Sequence, residues 1–116
     1  LISRTDVLLF GIGTAMRMAD QRHIADDVRK QLVDNHAVGE ALGQYCDMDG
    51  KLIYSTNNIG LSLPDVAKIP NVIAVAGGQD KSSAIIGVMR ACQKGILIID
   101  EQAAEGMRQL LQISAL

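Results

Sequence analysis

Aromatic residues are almost missing from this chain: 3% of positions, with no Trp, one Phe and two Tyr. A core of 116 residues must then be built from Ile, Leu, Val, Ala and Met, which together lift the apolar share to 48%. That composition suits layered α/β folds, and a chain of this length buries roughly two-thirds of its unfolded surface. An excess of positive charge is also absent. The formal charge is −2, and Arg17, Arg22, Arg29, Lys30, Lys51, Lys68, Lys81, Arg90 and Lys94 are scattered along the chain. A nucleic-acid surface needs its cations clustered, so this region is not expected to hold DNA. Cys46 and Cys92 are the only cysteines and form no C-x-x-C pair, too few for a disulfide framework or a zinc site. No apolar run approaches the roughly 20 residues that cross a bilayer. The start, Leu1-Ile2-Ser3-Arg4, has no charged leader before a long apolar region. A strand pattern begins almost at once, and the chain reads as an excerpt of a longer, cytoplasmic protein.

Three short, continuous apolar runs are present: Asp6–Phe10, Asn71–Ala76 and Gly95–Ile99. Runs without alternation suit strands buried on both faces, hence a parallel sheet. Helical stripes follow two of them. Ile85, Val88, Met89 and Cys92 fall on one face of a helix, as do Ala103, Ala104, Met107, Leu110 and Leu111. Asp80 and Asp100 stand where helix N-caps belong. This alternation predicts an α/β fold, a three-layer αβα sandwich with a mainly parallel sheet. The middle breaks the rhythm. Ile24, Val28 and Leu32 predict a helix near residues 25–35. An inserted β-hairpin is expected from Leu42–Asp47 and Lys51–Ser55, turning at Met48-Asp49-Gly50 with Gly50 at positive φ. A helical turn near Leu63–Ile69 follows.

Each chemical motif has a plain alternative. Gly11-Ile12-Gly13 begins a dinucleotide fingerprint, but Met16 replaces its third glycine. A strand-to-loop turn that needs small residues accounts for it better. Gly77-Gly78-Gln79-Asp80-Lys81-Ser82-Ser83 joins a buried strand to a helix start. It is either an anion site, with free N–H groups and the Lys81 ammonium, or a purely structural turn. Glu40, in Val38-Gly39-Glu40-Ala41, is either a solvated carboxylate beside a turn or an acceptor for sugar hydroxyls. Asp47, Asp49 and Gly50 lack the later ligands of a calcium loop. His23 and His36 lack metal-ligand spacing. No nucleophile elbow or paired catalytic carboxylates stand out.

Taken in order, Gly11-Ile12-Gly13, Ala37–Gly43, Ala74–Gly78, Lys81 and Ile99–Ala104 make a series that resembles the sugar-binding domain of SorC/DeoR-type bacterial regulators. Within that family it is most like the branch that governs central glycolytic genes. The likeness runs along nearly the whole chain, and residues 1–116 would form the C-terminal half of the effector domain. It implies a Rossmann-like domain, no enzymatic activity and no cofactor. The implied partner is a phosphorylated sugar, fructose 1,6-bisphosphate or a relative. DNA would be held only through a helix-turn-helix outside this chain, and the domains would pair into dimers or tetramers. By the same likeness Lys81 matches the family's phosphate-binding lysine, Glu40 its hydroxyl-binding glutamate and Arg22 an arginine near the ligand. Gly11, Gly13, Gly77 and Gly78 would line the site. The rival on the same fold is a sugar-phosphate isomerase or deaminase, which would need an acid/base partner for Glu40.

Overall fold

The computed structural model describes residues 6–56 and 62–111. It divides into a parallel sheet and an antiparallel sheet, with one helix wedged between them. Strands β1 (Val7–Gly11), β6 (Asn71–Val75) and β7 (Ile96–Ile98) form the parallel sheet in the order β1-β6-β7. Phe10 stands beside Ala74 and Ala74 beside Leu97. The three continuous apolar runs therefore become neighbouring strands, as the sequence predicts. Between β6 and β7 the chain crosses over through α3 (Ser82–Cys92), and α4 (Glu101–Leu111) follows β7.

Everything between β1 and β6 is an excursion from that sheet. It contains β2 (Gly13–Thr14), α1 (Ala15–Gln21), α2 (Asp26–Asp34), β3 (Gly39–Ala41), β4 (Gln44–Cys46), β5 (Leu52–Ser55) and a short 3-10 helix, Pro64–Lys68. The inserted element is larger than a hairpin: β2-β3-β4-β5 form a four-stranded antiparallel sheet. The turn at Asp47–Lys51 is as expected, with Gly50 at φ +88° and Asp47 Oδ1 accepting from the Asp49 and Lys51 N–H groups. A second, tighter turn was not anticipated. Leu42 and Gly43 have φ of +55° and +81° between β3 and β4. Two residues with positive φ fit the right-handed twist of a two-residue hairpin. Glycine adopts this readily, whereas Leu42 is held there under strain.

One core ties the two sheets. Phe10, Val72 and Ala74 from the parallel sheet, Ala41 and Cys46 from the antiparallel one, and Ile85, Val88 and Cys92 of α3 belong to it. The α3 stripe is as predicted, but Ala84, Ile86 and Gly87 are buried too, because α3 has sheet on more than one side. In α4, Ala103, Gly106 and Met107 turn inward while Ala104 and Leu110 face out, so that stripe is narrower than expected. A smaller core gathers Ala15 and Ala19 of α1, Leu32 of α2 and Tyr45.

The described residues cover the parallel sheet on one face only. Leu8 and Phe10 turn toward α3 and α4, whereas Leu9 is 66% exposed and Ile96 64%, with Val7, Val75 and Ile98 beside them. Two of the three layers of an αβα sandwich are thus built by the described residues. Parallel sheets are normally buried on both faces, and this bare apolar face is what an incomplete set of layers leaves.

Candidate functional site

The ends of β1 and β6 open into a cavity of about 470 Å³. Its floor is Phe10, Gly11, Ile12, Gly13 and Val75, and one wall is α1 with Arg17, Met18 and Gln21, continued by Arg22 just past its end. Glu40 and Leu42 close it from the antiparallel sheet, and Lys81 enters from the turn before α3. Five of the seven residues singled out in the sequence, Gly11, Gly13, Arg22, Glu40 and Lys81, therefore share one cavity. The carboxyl ends of parallel strands are where α/β folds place ligands.

Glu40 corrects the solvated reading. It is the middle residue of β3, paired with Gly13 on β2 and Tyr45 on β4, and only 3% exposed. Burial pushes its pKa up, while the Arg22 guanidinium and the Gly43 N–H pull the other way. Arg22 Nη2 lies 2.8 Å from Glu40 Oε2. That oxygen is itself out of contact with solvent and accepts no other hydrogen bond among the described residues, so the Arg22 guanidinium is its close partner. The Tyr45 hydroxyl, fully buried, is without a hydrogen-bond partner among the described residues. Arg22 follows the last residue of α1 and donates to Thr56 Oγ1 at 3.0 Å, which ties α1 to the end of β5.

Lys81 is half-buried and forms no ion pair among the described residues. It is the N-cap residue of α3, reached through a 3-10 turn at Gln79–Lys81. Asp80 is therefore not the cap of α3, because that extra turn sets the helix start one residue later. Asp100 does cap α4, with Oδ1 accepting from Ala103 N–H at 2.9 Å. The same carboxylate accepts from Gly78 N–H at 3.1 Å. Gly77 and Gly78 thus do not line the cavity. The N–H that the sequence offers to an external anion is held by a carboxylate of the chain, and the Ala103 N–H first, with the Gly78 N–H after it, lowers the Asp100 pKa from its ordinary value. Gly13-Thr14 is paired as a strand, and Ala15 N–H at the start of α1 donates to Val38 O at 3.1 Å. The turn's amides serve the fold, not a pyrophosphate.

Sequence reasoning missed Arg17 and Gln21. Only the existence of α1, which the Gly11–Met16 stretch concealed, puts them on the face with Arg22. The described residues contain no group of His, Cys, Asp and Glu that could hold a metal, and no helix among them is long and apolar enough to cross a membrane.

An α/β domain with a cavity at its strand ends, lined by unlike charges, has the architecture of a small-molecule binding module. Residues 1–109 match the family model described as "Putative sugar-binding domain". The central glycolytic genes regulator of Bacillus subtilis (strain 168) is 38% identical over 104 residues, covering 90% of this chain and 31% of that protein. A SorC family transcriptional regulator from Enterococcus faecalis superposes with a TM-score of 0.83 at 38% identity, over 91% of this chain and 43% of that one. The full-length sorbitol operon regulator SorC from Klebsiella pneumoniae gives 0.72 at 25% identity, over 88% and 33%. The chain belongs to the sugar-binding domain family of SorC/DeoR-type transcriptional regulators. It spans about a third of the length of the curated relative, 31%.

Proposed function

We propose that this chain is the C-terminal half of an effector domain that binds a phosphorylated sugar, fructose 1,6-bisphosphate or a close relative. Binding would modulate a regulator whose DNA-reading domain lies elsewhere. The observation that carries this reading is the convergence of Arg22, Glu40 and Lys81, from three separate segments, on one cavity. Lys81 meets a phosphate as an unpaired ammonium. Glu40, whose carboxylate lines the cavity, takes sugar hydroxyls. Arg22 orients that carboxylate, and Gly11 and Gly13 keep the floor low. Gly77 and Gly78 act indirectly, by shaping the turn that carries Lys81.

A sensor fits this arrangement better than an enzyme. Glu40 is the one carboxylate that lines the cavity among the described residues, whereas an isomerase needs a positioned acid and base. The relatives are bacterial transcriptional regulators, which favours a cytoplasmic protein that works as a dimer or tetramer. Calorimetry of the full-length protein with fructose 1,6-bisphosphate, fructose 6-phosphate and NAD tests the reading. Saturable binding of a sugar phosphate, with no response to NAD, is expected. Equal binding of NAD, or no heat with either sugar phosphate, would overturn it.

A further inference from the structure

The cavity holds one more cation than its resemblance to regulators supplies. Arg17, on the α1 wall, lines it beside Arg22 and Lys81, against the single carboxylate of Glu40. The neighbouring charges are differently engaged. Arg22 is held by Glu40 at 2.8 Å, whereas Arg17 Nη2 reaches Asp80 Oδ2 only at 3.5 Å, with both side chains 60% exposed. A pair so open is screened by solvent and exchanges at little cost.

The partner's position is informative. Asp80 immediately precedes Lys81, and its carboxylate folds back over the Gly77-Gly78 turn: a Cβ on Gly78 would meet Asp80 Oδ1 at 2.6 Å. Asp80 therefore places an internal anion between the α1 wall and the turn that presents Lys81. An anion bound by the unpaired Lys81 ammonium would enter the same neighbourhood. A phosphate carries more charge than a carboxylate, and its oxygens match the guanidinium fork.

We propose that Arg17 is a further anion-binding residue of this cavity, held on Asp80 in this structure and exchanged onto the ligand's phosphate when that group docks on Lys81. The inference rests on the phosphosugar reading and adds a residue and a competitor to it. Because Arg17 belongs to α1 and Asp80 to the turn before α3, the exchange also changes which ion pair spans the two units.

Competition has a signature that a structural ion pair lacks: the two partners act in opposite directions. In the full-length protein, titrated calorimetrically with fructose 1,6-bisphosphate, Arg17→Ala should weaken binding about three- to tenfold. Arg17→Lys should recover part of this loss, since it keeps the charge without the fork. Asp80→Asn should tighten binding about two- to fivefold, and the double variant should bind as Arg17→Ala does. Circular dichroism melts confirm that each variant is folded. If Arg17→Ala and Asp80→Asn move affinity in the same direction, or neither moves it, Arg17 is structural and the inference falls. Lys81→Ala separates this from the underlying reading. Loss of binding there, with no opposite-signed pair at Arg17 and Asp80, sinks only the exchange. Unchanged binding in Lys81→Ala, or a parent protein that ignores the ligand, sinks both.

Discussion

The Arg22 guanidinium meets the buried carboxylate of Glu40 at 2.8 Å and, through its other terminal nitrogen, donates to Thr56 Oγ1 at 3.0 Å. One side chain at the end of α1 thus holds the middle of β3 and the end of β5 together. Arg22→Met keeps most of the apolar stem but leaves Glu40 buried beside no cation. At neutral pH this should cost about 1–3 kcal/mol of stability, the penalty for a buried polar group stripped of its partner. Chemical denaturation at pH 7 measures it, and an unchanged midpoint would show that the Gly43 N–H alone sustains the carboxylate.

The same pair gives a pH dependence with a definite sign. Burial raises the Glu40 pKa above its unfolded value, so between those two values the folded state binds more protons than the unfolded one. The contribution is fully present below the unfolded value and lost as pH rises through the folded value. Asp100 runs the other way. Its lowered pKa gives stability present above the ordinary carboxylate value and lost as pH falls through the lowered one. Glu40→Gln should therefore flatten the fall in stability on the alkaline side of the ordinary glutamate range. Asp100→Asn should flatten the loss on the acid side of the ordinary aspartate range. Urea midpoints across pH 3–8 for the parent and both variants would expose a wrong sign in either.

Lys81→Ala should separate binding from folding. The side chain has no ion-pair partner among the described residues, so stability should stay within about 0.5 kcal/mol of the parent. Losing a charge-assisted contact to phosphate should cost about 1.5–3 kcal/mol of binding, roughly ten- to a hundredfold. A loss of affinity matched by a comparable loss of stability would mean that Lys81 shapes the turn.

The sequence made the parallel sheet legible because strands such as Asn71–Val75 lie in uninterrupted apolar runs, a pattern that depends on little but burial. The crossover through α3 was legible for the same reason. Of the antiparallel unit, only the hairpin of β4 and β5 was legible. Gly39-Glu40-Ala41 is too short and too polar to announce a strand, and its burial comes from α3 packing against Gly39 and Ala41 and from Arg22 over Glu40. Leu42 in a left-handed conformation defies the propensity that marks turns. At the candidate site, residue types offered Lys81 and Glu40 as one of two readings each, and Arg22 came from the family resemblance alone. The turn at Gly77-Gly78 misled because nothing local says that Asp100, from the far side of β7, holds its N–H.

Asp100 therefore supplies the last prediction. Its carboxylate caps α4 through the Ala103 N–H and fixes the Gly78 N–H, while Ser82 Oγ donates to Gln79 O at 2.6 Å within the same turn. Asp100→Ala removes both acceptors at once. It should lower Tm by a few degrees, as the loss of a helix cap does. It should also weaken sugar-phosphate binding without touching the cavity, because the turn that presents Lys81 loses its anchor. Asp100→Asn keeps one oxygen acceptor and remains a good cap, so it should restore most of the Tm. It should restore less of the affinity, since a single neutral oxygen must serve both N–H groups. Melting curves and calorimetry on the same full-length preparations test the split. If Asp100→Ala lowers Tm while sugar-phosphate affinity stays at the parent's value, the cap of α4 and the presentation of Lys81 are independent.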